Sequence, residues 1–216
     1  MRDRPRDTSP PRLVPPEIAG WFEGKGWRVR RHQAEMLAES EAGRHALLVA
    51  DTGAGKTLAG FLPTLAAFCP SRLGGGEAPE GLHTLYVSPL KALAHDVQRN
   101  LVNPVEEMGL PLRIETRSGD TPADRKKRQR EKPPHVLLTT PESLSLLLSY
   151  PESFAMFAGL KRVVIDEVHA FATGKRGDLL ALALTRLQAI APTMQRAALS
   201  ATLADPEAFR EWLAPW

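Results

Sequence analysis

The stretch "HALLVADTGAGKT" (His45–Thr57) runs from an apolar segment into a turn that ends Gly55-Lys56-Thr57. A strand feeding such a turn, with a helix opening near Lys56, is how P-loop proteins bind phosphate. Bare backbone from Thr52 through Gly53, Ala54 and Gly55, together with the positive end of the helix, can cradle phosphate oxygens. Lys56 would then reach the β and γ phosphates, and the Thr57 hydroxyl would ligate Mg²⁺. Two positions depart from the G-x-x-x-x-G-K-[ST] pattern. Ala50 stands where glycine is usual, and Asp51 puts a carboxylate on the approach of a triphosphate. Its charge either weakens ATP binding or caps backbone N–H groups of its own turn and points away.

Outward from this turn, short apolar runs alternate with longer helical patterns. The expected strands are His45–Ala50, Thr84–Ser88, Arg113–Arg117, His135–Thr140, Arg162–Glu167 and Ala197–Ala201. Most are near-continuous apolar runs, as in strands buried on both faces of a parallel sheet. Helices are expected near 56–68, 90–107, 122–131, 141–149 and 178–190. The third carries a start signal, with Thr121 as cap and Pro122 and Asp124 in the first turn. The alternation specifies an α/β fold: a mostly parallel, doubly wound sheet with helices on both faces. "SRLGGGEAPEG" (Ser71–Gly81) reads as a surface loop.

Ligands of such sheets sit beyond the carboxyl ends of the strands. "DTGAGKT", "SPLKA", "TTPES", "DEVH" and "SAT" each follow an expected strand, so clusters far apart in sequence converge on one edge. In "VVIDEVH" the pair Asp166 and Glu167 ends an apolar run. Carboxylates so placed are costly unless paired, and a magnesium ion would explain them. Asp166 would hold Mg²⁺, Glu167 would orient and deprotonate the attacking water, and His169 would register the γ-phosphate. Gln33 in "RRHQ" carries an amide able to pair with adenine N6–H and N7, as amides do in base readout.

Composition limits the alternatives. The 216 residues are 43% hydrophobic and 25% charged, enough for a core, and no apolar run is long enough to cross a bilayer. "MRDRPRDTSPPR" has no apolar segment after it, and residues 1–12 are expected to form a disordered leader. The single cysteine, Cys69, fits a reducing, cytoplasmic location and reads as a small buried hydrophobe. The net charge of +3 is concentrated in "RVRRHQ" (Arg28–Gln33) and "RKKRQREK" (Arg125–Lys132). Such clusters mark either a polyanion partner or a solvated face. An unrelated P-loop enzyme is disfavoured, since a GTPase would show N-K-x-D, which is absent.

"RRHQ", "ADTGAGKT", "SPLKAL", "SGDT", "TTPESL", "DEVH" and "SAT", in this order, resemble the motif set of the first RecA-like domain of superfamily-two DEXH-box helicases. The resemblance covers nearly all of Leu13 to Trp216. It is finest to the large-helicase-related (Lhr-like) group, above all the bacterial ligase-associated DNA helicases. In that family an alanine opens the phosphate loop, so Ala50 is expected, whereas Asp51 replaces a usual proline. The resemblance implies ATP-driven movement along single-stranded DNA, with RNA or a DNA:RNA hybrid as the alternative strand. It places Arg31 beside Gln33 at the nucleotide. Ser88, Pro89, Lys91, Gly119, Asp120, Thr140, Pro141 and Glu142 would line the strand's track, and Ser200 and Thr202 would couple it to nucleotide state. Lys175 and Arg176 of "GKRG" would touch DNA or shape a turn. The family also uses a second RecA-like domain, expected to be absent here, and implies a ligase and a nuclease as partners. The alternative is a nucleotide- or nucleic-acid-binding module without motor activity.

Overall fold

The computed structural model describes residues 13–51, 53–89, 97–171, 174–203 and 205–213. The expected leader and two expected site residues, Thr52 and Lys91, lie outside them. All six expected strands form: β1 (Ala46–Val49), β2 (Thr84–Val87), β3 (Ile114–Arg117), β4 (Val136–Thr139), β5 (Arg162–Ile165) and β6 (Gln195–Ser200). Every pairing is parallel, in the order β1-β6-β5-β2-β4-β3. All six carboxyl ends therefore share one edge.

Strand side chains alternate between faces, and each face has its own core. Leu48, Tyr86, Val164, Ala197 and Leu199 face one layer. It is formed by α1 (Pro16–Gly24), α2 (Arg31–Glu41), α3 (Lys56–Ala67) and a segment that includes a π-helical turn, Gln98–Val102, and α5 (Asn103–Glu107). A short α4 (Pro70–Leu73) precedes the exposed glycine-rich loop. Leu85, Val87, Val163, Ile165 and Ala198 face α7 (Pro141–Leu148), α8 (Ser153–Phe157), α9 (Lys175–Ile190) and α10 (Pro206–Leu213). Between β3 and β4 lies α6 (Ala123–Glu131), and a 3-10 turn, Val168–Phe171, follows β5. None of the helices among the described residues is long and apolar enough to cross a membrane. Cys69 is buried, as read from sequence, and its burial raises the thiol to about 12.

Three expectations change. Thr121 does not cap α6; Pro122 takes that place, and the Thr121 hydroxyl accepts from the Ser118 N–H at 2.9 Å, closing the "SGDT" turn instead. Of the helix expected over 90–107, residues 90–96 lie outside the described residues, and Gln98–Val102 form a π-helical turn, a distortion that leaves no mark in apolar spacing. The helix expected from 178 starts at Lys175, because Gly174 (φ 92°) takes a cap conformation only glycine holds without strain.

Candidate nucleotide and nucleic-acid site

Gly55 (φ 79°) turns the chain from the loop into α3, and Gly53 (φ 81°) is also left-handed, so this turn depends on glycine at both places. Gly60, deeper in α3, lets the helix press on the sheet, since a Cβ there would lie 2.8 Å from Leu199 Cδ1. The helix N-terminus is thereby held against the carboxyl edge. Beside it opens a cleft of about 550 Å³ lined by Gly53, Gly55, Lys56, Thr57, Gln33 and Glu167. Residues separated by 134 positions thus share one cavity.

Within the loop, Lys56 is buried and donates from Nζ to the Asp51 carbonyl at 3.0 Å, an oxygen that also accepts from the Ala54 N–H at 3.1 Å. Among the described residues no N–H donates to the Asp51 carboxylate, whose residue is exposed. The Asx-type arrangement is therefore not seen among the described residues. Gln33, buried at the third position of α2, accepts at Oε1 from the Arg30 N–H (2.9 Å) and reaches the Gly55 carbonyl with Nε2 at 3.5 Å. Its amide thus ties the start of α2 to the phosphate loop. Arg31 does not come to the cleft: its side chain points into solvent and pairs with Glu35 at 2.7 Å. Arg28 and Arg30 line the cleft in its place.

Asp166 is 2% exposed. One carboxylate oxygen accepts from the Tyr86 hydroxyl and the other from the Glu167 N–H at 2.8 Å. These bonds offset the burial of its charge. Glu167 has φ 50°, and among the described residues it is the one non-glycine with positive φ. Such backbone is held only where neighbours enforce it, and it clusters at functional sites. From there a relay of side chains runs to β6. His169 Nδ1 lies 3.4 Å from Glu167 Oε2 and 2.9 Å from Ser200 Oγ, and the Ser200 hydroxyl donates to the Thr202 carbonyl at 2.8 Å. Because that hydroxyl hydrogen is committed to Thr202, Ser200 accepts from His169, which puts the proton on Nδ1. Of the two expected coupling residues, Ser200 therefore touches the expected γ-phosphate sensor directly and Thr202 joins it through Ser200.

For Mg²⁺, the donor set is oxygen only, the Thr57 hydroxyl and the Asp166 carboxylate, which suits a hard cation. No group of three His, Cys, Asp or Glu able to hold a metal alone occurs among the described residues. That fits an ion that keeps waters and takes its remaining ligands from phosphates.

The expected track residues lie along the same edge, but their side chains differ in use. Ser88 is buried and its hydroxyl finds no partner among the described residues. Gly119 and Asp120 are exposed in the "SGDT" turn, where the Gly119 carbonyl accepts from Lys126 Nζ at 2.8 Å. Thr140 caps α7, with Oγ1 accepting from the Ser143 N–H at 3.3 Å, and Pro141 opens its first turn. Glu142 and Arg176 form a two-toothed ion pair, at 2.6 and 3.3 Å, and Arg176 also donates to the Pro89 carbonyl at 3.0 Å. Lys175 is exposed at the start of α9. In the basic cluster, Arg128 pairs with Glu115, Lys127 with Glu131 and Arg130 with Glu152. Those pairings favour the solvated-face reading for α6.

The far wall of the cleft is absent from the sequence-based expectations. Trp21, Phe22, Trp27, Arg99 and Asn100 line it. Trp27 is 45% exposed and makes edge contacts with Trp21 (5.7 Å) and Phe22 (6.5 Å). The Trp21 indole donates to Glu107 at 2.5 Å, and Lys25 pairs with the same carboxylate at 2.8 Å. "GWFEGKGW" held a signal, three aromatics beside a basic cluster next to Gln33.

The all-parallel sheet and the loops on its carboxyl edge define a RecA-like nucleotide-binding domain. The chain belongs to the DEAD/DEAH box helicase family, whose model matches residues 30–209. It is 40% identical over 197 residues to the ATP-dependent helicase Lhr-Core protein 2 of Thermococcus barophilus, covering 86% of this chain and 23% of that protein. To the Lhr helicase/probable uracil glycosylase of Mycolicibacterium smegmatis it is 42% identical over 193 residues, 84% of this chain and 12% of that one. Among solved structures, Mycobacterium smegmatis helicase Lhr bound to ssDNA and AMP-PNP matches with a TM-score of 0.82 and 38% identity, over 95% of this chain and 27% of the other. The DUF1998 helicase MrfA bound to DNA and AMPPNP matches at 0.79 and 26%, over 95% and 28%. The chain thus spans about a quarter or less of these relatives.

Proposed function

We propose that residues 13–216 are the ATP-binding motor half of an ATP-dependent DNA helicase or translocase. The observation that carries this reading is the cleft that brings Lys56, Thr57, Gln33 and Glu167 together beside the strand-facing loops. The triphosphate displaces Lys56 from the Asp51 carbonyl and takes the loop's backbone N–H groups. Gln33 meets adenine with its amide, and Trp27 offers a ring face for the base to stack on. Glu167 orients the attacking water and accepts its proton. His169 passes the presence of the γ-phosphate to Ser200 and Thr202. When bound, Mg²⁺ would be held by Thr57 and Asp166 and would neutralise charge on the phosphates. The loops that carry Ser88, Pro89, Gly119, Asp120, Thr140 and Pro141, together with Lys91 by the resemblance, would line the track of one DNA strand, where hydroxyls and N–H groups suit phosphates. RNA or a hybrid strand presents the same phosphates. A role in DNA repair, with a ligase and a nuclease, follows the resemblance to the ligase-associated helicases.

Efficient hydrolysis in this scheme requires arginines from a second RecA-like domain, worth on the order of a thousandfold in rate. These 216 residues alone are therefore expected to bind nucleotide and turn it over well below about 1 per second even with single-stranded DNA. Steady-state ATPase assays above that rate would remove the need for a second domain. Nucleotide binding itself is tested by titration of a fluorescent ATP analogue, with Lys56→Ala as control. Unchanged affinity in that variant would refute the assignment of the loop.

A further inference from the structure

Arg176 joins three segments that are distant in sequence. Its guanidinium grips both oxygens of Glu142, at the start of α7, and the carbonyl of Pro89, just after β2. Its own helix is fixed to the acid-bearing loop at the nucleotide cleft. Gly177 packs so closely on the 3-10 turn that a Cβ there would lie 2.1 Å from the Phe171 carbonyl oxygen. That turn begins one residue after Glu167 and contains His169. A path of close contacts therefore runs from Glu167 through the turn and Gly177 to Arg176, and on to Glu142 and Pro89 of the expected strand track.

Stability does not explain the arrangement. Both Arg176 and Glu142 side chains are about half exposed, 45% and 50%, and such pairs contribute little to folding. Nor does Glu142 suit direct contact with a strand, since a carboxylate repels phosphate. Burial alone would raise the Glu142 carboxyl, yet its hydrogen bond from Arg176 and those from its own backbone and Thr140 bring it below the usual range. The charge is kept, and kept neutralised.

We propose that Arg176 is a positioning residue that couples the nucleotide cleft to the nucleic-acid track, setting the register of the Pro89 and Glu142 loops from the Glu167–Phe171 segment. It rests on the function proposed above. Ligands at the two sites must then alter each other's affinity, and Arg176 and Glu142 must act as one unit.

The test measures binding of a labelled single-stranded oligodeoxynucleotide to the 216-residue chain by fluorescence anisotropy, with and without Mg²⁺ and AMP-PNP. Wild type should show a nucleotide-dependent change in affinity within the usual range of about 5- to 150-fold. Arg176→Ala and Glu142→Ala should each reduce that change to under about twofold, with the double variant no worse than either single one. Arg176→Lys, which cannot hold both acceptors in one plane, should recover only part of it. If Arg176 instead contacts the strand, the single variants will move in opposite directions. Arg176→Ala would then weaken binding equally in both nucleotide states and lower the salt slope by about one, while Glu142→Ala would tighten binding. That pattern, or two ligands that bind wild type independently, overturns the proposal. A wild type that binds neither ligand refutes the proposed function itself.

Discussion

Lys56 donates to the Asp51 carbonyl, so the loop is closed on its own lysine, and in the proposed function ATP would have to replace that bond. Asp51 adds a charge to the same approach. A carboxylate about 6 Å from a phosphate costs up to ~2–3 kcal/mol at an effective dielectric of about 20, and solvent around the exposed side chain reduces this to about 1 kcal/mol. Asp51→Asn, which removes only the charge, is expected to tighten ATP binding roughly fivefold. Isothermal titration giving equal dissociation constants would show the carboxylate turned away from the ligand. On the opposite wall, Trp27→Ala should weaken nucleotide binding by about 1–2 kcal/mol through lost stacking. Unaltered competition by unlabelled ATP in that variant would leave Trp27 without a role. The contrast between these residues marks what the sequence discloses. Lys56, Thr57, Asp166 and Glu167 are readable because strand, turn and helix place them locally. Trp27, Arg28 and Arg99 reach the cleft through packing of α1, the loop to α2 and the π-helical turn. The aromatics and arginines of 21–30 are visible in the sequence, but the cavity they enter is not. Arg31 shows the converse failure. It neighbours cleft residues in sequence, yet the helical turn aims it at Glu35.

Elements were legible in proportion to how much apolar surface they bury. The four inner strands include the fully buried apolar runs of β2, β4 and β5. β1 and the half-polar β3 lie at the sheet edges and are marked by the turns that bound them. All six formed where expected. α1, α2 and α10 are one-sided, burying Ile18 and Phe22 in the first, Gln33, Met36 and Leu37 in the second and Leu213 in the third, and none of the three is among the helices expected from sequence. How α9 seats was also hidden, since Gly177 looks like an ordinary flexible glycine until the Phe171 carbonyl is seen against it. Gly177→Ala must displace backbone and should destabilise the fold by about 1–3 kcal/mol. Gly20→Ala, in α1 with nothing within 4 Å of the added Cβ, should instead stabilise by about 0.5–1 kcal/mol. Melting temperatures moving the same way for both variants would contradict this packing of α9 on the 3-10 turn.

At the scale of the whole molecule the two edges of the sheet differ in chemistry. The carboxyl edge carries the ligand-facing loops, and the amino edge carries histidines and arginines. His45 precedes β1 and accepts at Nδ1 from the Arg196 N–H of β6 at 2.9 Å. His135 precedes β4 and accepts at Nδ1 from the Arg113 N–H beside β3 at 3.0 Å. Each imidazole thus extends a strand pairing by one bond, and only while Nδ1 is unprotonated. His83, before β2, bonds the Thr84 hydroxyl at 2.8 Å. Burial holds all three below the ordinary histidine range, helped by Arg196 at His45 and Arg113 at His135. His83 is pushed down to about 3, with Arg162, Lys161 and His135 adding to the effect of burial. A depressed histidine leaves stability intact above the unfolded value of about 6.5. Below it the unfolded chain takes up protons that the folded one refuses, so stability falls as the pH drops from about 6.5 toward 3. His83 alone corresponds to a loss of about 2 kcal/mol by pH 5, before the shifted carboxylates Glu17, Glu39, Glu107 and Glu142 begin to titrate. Urea midpoints measured from pH 7.5 to 5 should therefore decline. In His83→Gln the decline should shrink, and adding His45→Gln, whose amide oxygen can still accept from Arg196, should flatten it further. A wild-type midpoint constant across that range would mean that the histidines on the amino edge are open to protonation in the folded protein.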